Sequence, residues 1–241
     1  MKTTGAVEFS EKRRRFVLPA TAAALLACCP SQPIAAEPAE RVTRRFAQWE
    51  QAIEEFERQD AAQPPAAAGV VFVGSSSIRM WDLLKSFDLD PPPVNRGFGG
   101  SQIVDALHFV DQLVLKHKPR AIVFYSGDND LASGKPATEV SGDFARFCRV
   151  VHETLPEATI IFISIKPSPS RWHLAEAMQA ANAQIRELCE ADERLEFADV
   201  WPAMLDSDGQ PREELFAADK LHLNDEGYRL WTEMIRPLLD P

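Results

Sequence analysis

From residue 70 onward, short continuous runs of apolar residues alternate with longer stretches of helical periodicity. The clearest runs are rich in β-branched and aromatic residues and predict buried strands at 70–73, 121–125 and 159–163, with weaker candidates at 94–98 and 195–198. Helical patterns lie between and after them, near 102–117, 139–155, 174–192 and 225–238. Strands that read as unbroken apolar runs are covered on both faces. The pattern therefore predicts a three-layer α/β/α sandwich of about five parallel strands.

A separate amphipathic helix precedes this alternation, over residues 38–60. Its apolar positions step by four and three: Val42, Phe46, Trp49, Ile53 and Phe56. The Pro64-Pro65 pair then ends the helical pattern. We predict that residues 37–68 form a helix and linker that pack on the main domain, residues 69–241.

Residues 1–36 have the three parts of a cleavable export signal. The basic stretch from Lys12 to Arg15 precedes an apolar run at 16–29, and small residues follow at Ala35-Ala36. Pro19 interrupts the apolar run, which is shorter than the roughly 20 residues that span a bilayer. The segment predicts a periplasmic or secreted bacterial protein with no integral membrane span.

The sequence is compatible with two export routes and with two sites of signal cleavage. Arg13-Arg14 followed by Arg15-Phe16 resembles a twin-arginine signal, and a general secretory signal is the alternative. Cleavage after Ala36 gives a free chain, whereas reading residues 25–28 as a lipobox gives a lipid anchor on Cys28.

The charge balance narrows the partners. The formal net charge is −10, from 26 Lys and Arg against 36 Asp and Glu, and the one dense basic run lies in the export signal. Phosphate binding requires a concentrated basic face, so nucleic acid is excluded as a partner.

Cys148 and Cys189 lie in predicted helices and are either a disulfide or two buried thiols. Nothing in the sequence indicates an oligomeric state.

Polar clusters follow the first three strands, where ligand sites form in parallel sheets. Gly74-Ser75-Ser76-Ser77 can expose a hydroxyl at a helix N-terminus, although serine is also a common helix cap. The glycines of 95–101 allow backbone N–H groups to approach an oxyanion, or simply make a tight turn. In 126–130, Asn129 is a neutral donor suited to an oxyanion hole, with an Asx turn as the alternative, and Asp130 is a structural acceptor.

A fourth cluster lies before the last helix. Asp219, three residues before His222, can place its carboxylate at the ring Nδ1 and so prepare Nε2 to accept a proton. An exposed histidine beside a helix cap at Asn224 or Asp225 is one alternative, and a metal site of Asp219, His222 and Asp225 is another.

Together the four clusters resemble the signature blocks of the SGNH (GDSL-type) esterases and lipases, over about residues 70–238. The resemblance implies a flavodoxin-like sandwich and ester hydrolysis without metal or cofactor. It implies Ser76 as nucleophile and Asp219 and His222 as the other triad members. The implied oxyanion hole consists of the Ser76 and Gly100 backbone N–H groups and the Asn129 side chain.

One departure from the family pattern leaves the serine register open. Ser75 occupies the position where the family commonly has aspartate, as in a bacterial subgroup with Gly-Ser-Ser-Ser in the first block. Ser76 matches the family's serine, and Ser75 and Ser77 are the alternatives.

We therefore predict an exported serine esterase for short-chain or O-acetyl esters, with a small-molecule or glycan ester as substrate. An acyltransferase with the same triad and a non-catalytic glycan-binding domain on this fold are the two competing hypotheses. Arg96 and Asp105 either touch substrate or pair on the surface, and the loop that carries Trp172-His173 is placed to overhang the site.

Overall fold

The computed structural model describes residues 45–239 and contains one five-stranded parallel sheet in the order β2-β1-β3-β4-β5. The strands are β1 (Val70–Gly74), β2 (Val94–Gly97), β3 (Ala121–Tyr125), β4 (Thr159–Ile163) and β5 (Leu195–Ala198). All four strand pairings are parallel. The chain runs outward from β1 to one edge and then returns past β1 to the other edge. The carboxyl ends of β1 and β3 are thus neighbours at the point where the strand order reverses.

Helices cover both faces of the sheet. They are α1 (Glu50–Ala62), α2 (Ser76–Arg79), α3 (Leu83–Ser86), α4 (Ile103–His108), α5 (Val110–Leu113), α6 (Asp128–Ala132), α7 (Ala137–Thr154), α8 (Ala175–Glu190) and α9 (Asp225–Ile235). Short 3₁₀ turns lie at Leu115–His117, Pro169–Leu174, Pro202–Met204, Glu213–Leu215 and Arg236–Leu238. The predicted three-layer sandwich and its five strands are confirmed.

Alternate residues of the three central strands, β1, β3 and β4, enter two separate cores. Val73, Phe124 and Phe162 pack under α1, α4, α7 and α8. Phe72, Val123 and Ile161 pack under α2, α3 and α9, where Trp231 is fully buried. Burial on both faces explains why these strands are unbroken apolar runs.

The prediction of one continuous helix over 102–117 is wrong. The segment is divided into α4, α5 and the Leu115–His117 turn, and Phe109 between the first two has φ −100° and ψ 21°. The Phe109 ring packs edge-on against Phe46, at 6.1 Å between centroids, and against Phe98, at 6.5 Å. Phe109 thus lies among aromatic rings from two other segments, and no proline or glycine marks the break in the sequence.

The described part of the N-terminal segment packs against the residues that follow it. Ile53 of α1 is buried, and Trp49 packs edge-on against Phe98. Asp60 near the end of α1 pairs with buried Arg96 of β2, which therefore has a structural role. Residues 37–44 lie outside the described residues, as do the predicted export signal at 1–36 and the lipid-anchor candidate Cys28.

The cysteines of the two long helices are not paired. Cys148 on α7 and Cys189 on α8 are both buried free thiols, and burial raises the pKa of Cys189 to about 12. Of the two possibilities that the sequence leaves for them, buried thiols are therefore confirmed.

The length and hydropathy of the helices bear on whether the chain could cross a bilayer. Within residues 45–239, no helix has both the length and the apolar character needed to cross a bilayer.

Candidate active site

Ser76 is presented by a sharp turn between β1 and α2. Gly74, at the end of the strand, has φ +141°, and a Cβ there would lie 1.9 Å from the Tyr125 carbonyl oxygen. Only glycine fits this contact. Ser76 is the first residue of α2 and is half-buried, whereas Ser75 and Ser77 are each only 1% exposed. Of the three adjacent serines, the structure brings Ser76 to His222.

Asp219, His222 and Ser76 form a continuous line of hydrogen bonds. His222 Nδ1 lies 2.6 Å from Asp219 Oδ2, and His222 Nε2 lies 2.9 Å from Ser76 Oγ. An ionised carboxylate only accepts, so Nδ1 carries the proton and Nε2 is left to accept from the serine hydroxyl. The hydrogen bond from His222, with two from backbone N–H groups, lowers the pKa of Asp219 to about 2.

The Asp219–His222 pair is made within a single short turn. The second carboxylate oxygen of Asp219 accepts from the backbone N–H groups of Leu221 and His222, each at 3.0 Å. Lys220 between them has φ +56°, so the chain reverses within the turn. The side chains are partly solvated, with Asp219 50% and His222 23% exposed.

Asn224 and Asp225 do not join this pair. The Asn224 side chain caps α9 by accepting from Glu226 N and Gly227 N. The Asp225 side chain is fully exposed, with Lys85 Nζ at 4.0 Å. Among residues 45–239, no group of three or more His, Cys, Asp or Glu side chains is arranged to hold a metal ion. Asp219 and His222 thus pair with each other, and Asp225 is not part of the pair.

The three predicted oxyanion donors come from three strand-end loops. The backbone N–H groups of Ser76, at the start of α2, and Gly100, at φ +79°, donate to no acceptor within residues 45–239. Asn129, on α6, donates from Nδ2 to Ser101 O at 3.0 Å and has its second N–H available. A Cβ on Gly100 would lie 3.5 Å from the Trp49 ring, so this loop is lined by the N-terminal segment.

The carboxylates of two acidic residues near the site accept hydrogen bonds that stabilise the surrounding loops. The Asp130 carboxylate accepts from Ile103 N at 3.3 Å and from Lys135 Nζ at 3.1 Å, consistent with its predicted structural role. Burial raises the pKa of Asp130 to about 6. Asp105 is buried, accepts from Gln102 N at 2.8 Å and pairs with Arg45, so it belongs to a helix cap.

Sequence reasoning missed a buried ionic cluster behind Asn129. Asp128 Oδ2 lies 3.3 Å from Lys166 Nζ and 2.9 Å from Arg171 Nη1. Burial opposes charge on Asp128, but Lys166 and Arg171 outweigh it and hold the pKa of the carboxyl below its ordinary value. Burial lowers the pKa of Lys166, which also donates to Tyr125 Oη at 3.0 Å. The one available sequence signal was a lysine directly after an apolar strand, in Ile163-Ser164-Ile165-Lys166.

The loop after β4 joins two parts of the site. Arg171 Nη2 donates to Asn129 Oδ1 at 3.0 Å, and Ser170 N donates to Lys220 O at 3.1 Å. Trp172 stacks on Trp201 at 5.9 Å between centroids, and His173 is exposed. The loop that carries these aromatic residues thus braces the strand-end loops.

Comparisons with known proteins agree with this fold. A family model described as GDSL-like lipase/acylhydrolase matches residues 73–230. The human platelet-activating factor acetylhydrolase IB subunit alpha1 is 27% identical over 168 residues, which cover 66% of this chain and 70% of that protein.

Solved structures match over most of their length. A GDSL-like lipase from Bacteroides thetaiotaomicron superposes with a TM-score of 0.67 at 20% identity, covering 78% of this chain and 96% of that one. A family 3 carbohydrate esterase from Talaromyces cellulolyticus has a TM-score of 0.59 at 19% identity, covering 71% and 96%.

The parallel sandwich therefore has the SGNH hydrolase fold of these structural neighbours. By the family model, the chain belongs to the GDSL-like lipase/acylhydrolase family, which is a family of ester hydrolases.

Proposed function

We propose that the protein is an exported serine esterase that cleaves short-chain or O-acetyl esters through Ser76, His222 and Asp219. The observation that carries the proposal is the unbroken line of hydrogen bonds from Asp219 through His222 to Ser76 Oγ. In this arrangement one ring nitrogen is fixed as a donor and the other accepts the serine proton, as acyl transfer by serine requires.

The reaction proceeds in two steps. His222 Nε2 removes the Ser76 proton while Oγ attacks the ester carbonyl, and the imidazolium then protonates the departing alcohol. Water, activated by the same nitrogen, cleaves the acyl-enzyme and restores Ser76. The N–H groups of Ser76, Gly100 and Asn129 stabilise the negative oxygen of each tetrahedral intermediate, and the loss of one such donor typically costs about 3–4 kcal/mol.

Two observations favour a small acyl group: the solvent exposure of the site and the name of the human relative. His222 and Asp219 remain partly solvated, so the site suits an acyl group carried on a larger, accessible alcohol. A groove of about 430 Å³, whose lining includes Trp49, Arg79 and Gly99, lies beside the Gly100 loop and has room for that alcohol. The human relative is named an acetylhydrolase, which supports an acetyl ester.

The test compares Ser76→Ala with Ser75→Ala and Ser77→Ala, using p-nitrophenyl acetate and fluorophosphonate labelling with peptide mapping. We expect Ser76→Ala to lose at least about 10³-fold in kcat and all labelling. Ser75→Ala and Ser77→Ala should keep labelling at residue 76. Equal rates in wild type and Ser76→Ala would refute the proposed esterase and favour a glycan-binding domain.

Two further measurements test for acyl transfer and for export. An acyltransferase would move the acyl group to an added sugar or alcohol faster than to water, so product analysis with such acceptors separates it from an esterase. Export is supported by the signal-like pattern of residues 1–36. We expect cell fractionation of the full chain to find it in the periplasm or medium, and recovery in the cytoplasm would contradict export.

A further inference from the structure

We propose that Arg171 is a positioning residue that fixes the Asn129 amide in the orientation able to donate to an oxyanion, and polarises it. This inference rests on the proposed esterase function, in which Asn129 is an oxyanion donor. Arg171 lies on the loop after β4, distant in sequence from all four signature blocks.

Two contacts select one orientation of the amide. Arg171 Nη2 donates to Asn129 Oδ1 at 3.0 Å, and Asn129 Nδ2 donates to Ser101 O at 3.0 Å. Rotating the amide by 180° would set its NH₂ group against the guanidinium and its oxygen against the Ser101 carbonyl. Both contacts would then be repulsive. The oxygen would also replace the N–H that remains available for the oxyanion.

Arg171 is itself held in place from behind. Its Nη1 lies 2.9 Å from Asp128 Oδ2, and Asp128 precedes Asn129 on α6. A guanidinium presents its nitrogens in a rigid fork, so one arm can form an ion pair with the carboxylate while the other donates a hydrogen bond to the amide. Lysine, a single charged point, cannot hold both in the same fixed geometry.

The cluster also places an excess of positive charge behind the amide. Lys166, 1% exposed, already supplies one cation to Asp128, at 3.3 Å. Arg171 is thus a second cation for one carboxylate, and it is the one that contacts Asn129. A cation on Oδ1 draws electron density from Nδ2, which strengthens its remaining N–H as a donor, and low polarity around the cluster preserves the effect.

The test is a double-mutant cycle of Arg171→Met and Asn129→Ala, with kcat and KM measured for p-nitrophenyl acetate. We expect Asn129→Ala to lower kcat about 100-fold. Arg171→Met should lower kcat about tenfold, because a hydrogen bond to a charged group is lost, with KM changed less than about threefold. In the Asn129→Ala background, Arg171→Met should have almost no further effect.

Two more variants separate positioning from folding. Arg171→Lys should recover part of the kcat, because it keeps the charge beside Asp128. Arg186→Met is the matched control: Arg186 is a partly exposed arginine on α8, paired with Asp199, and its loss should leave kcat unchanged. If Arg171→Met does not fold, Arg171→Lys and Arg171→Gln complete the same cycle.

The outcomes are distinct. An equal loss of kcat from Arg171→Met in both backgrounds, or a rise in KM with kcat unchanged, would overturn the positioning role. Ser76→Ala is measured in parallel: if it keeps the wild-type rate, the proposed esterase fails. If it loses activity while the cycle is additive, only the inference about Arg171 fails.

Discussion

Asp219 and Asp128 each bind a side chain of the same candidate site, but the two carboxylates differ in solvent exposure. The Asp219 side chain is 50% exposed and binds His222 within one turn, whereas the Asp128 side chain is 7% exposed and binds Lys166 and Arg171 from another loop. Water can reach the pair assigned to proton transfer. In the cluster behind the amide donor, Asp128 and Lys166 are buried and Arg171 is only 18% exposed, so solvent screens these charges less. The comparison implies that Asp219 matters mainly for rate and Asp128 also for stability.

The largest effect is expected at the exposed pair. His222→Ala removes the proposed general base, so kcat should fall about 10⁴- to 10⁶-fold. The midpoint of thermal unfolding should shift by less than about 2 °C, because a partly exposed loop side chain contributes little to stability. Steady-state kinetics with p-nitrophenyl acetate and a thermal melt measure both.

The matched control is His173→Ala, which removes an exposed histidine on the adjacent loop. We expect it to keep the wild-type kcat. A comparable loss of rate in both variants would remove the distinction that assigns proton transfer to His222.

The next effect is expected at the buried cluster. Asp128→Asn leaves Lys166 and Arg171 without their carboxylate, so the free energy of unfolding should fall by about 3–5 kcal/mol. In a domain of this size that corresponds to a midpoint lowered by roughly 6–20 °C. Denaturant and thermal unfolding of Asp199→Asn provide the control: its partly exposed pair with Arg186 should contribute under about 1 kcal/mol. Equal losses in the two variants would contradict the buried role of Asp128.

The smallest effect concerns pH and the stability contributed by Asp219. Its pKa is about 2 in the folded protein, below its ordinary value, because His222 and backbone N–H groups favour the ionised form. A lowered pKa stabilises the fold above the unfolded-state pKa of about 4, and this contribution is lost as pH falls towards 2.

Asp219→Asn should therefore be less stable than wild type at pH 7 by under about 1 kcal/mol, since solvent screens the pair. In urea unfolding the difference should shrink between pH 5 and pH 3. A difference that grows on acidification would contradict the sign of this pKa shift.

The same contrast explains how much could be predicted from the sequence. The three central strands were predictable because burial on both faces leaves long apolar runs, and the Asp219–His222 pair because its members are three residues apart. The three adjacent serines could not be told apart from the sequence, because only the folded turn shows that Ser76 Oγ lies beside His222. Asp128, Lys166 and Arg171 were missed because their contacts join segments 38 or more residues apart, and a buried ion pair has no periodicity.

The contacts of Trp49 bear on where a recombinant fragment of this chain can begin. The sheet begins at Val70, so a recombinant fragment starting near residue 69 would contain every strand and all the residues of the proposed triad. It would lack the indole that packs on Phe98 and lies beside Gly100. The boundary of the working unit is therefore earlier than the boundary of the sheet. Expression trials should keep the segment that carries Trp49 and α1.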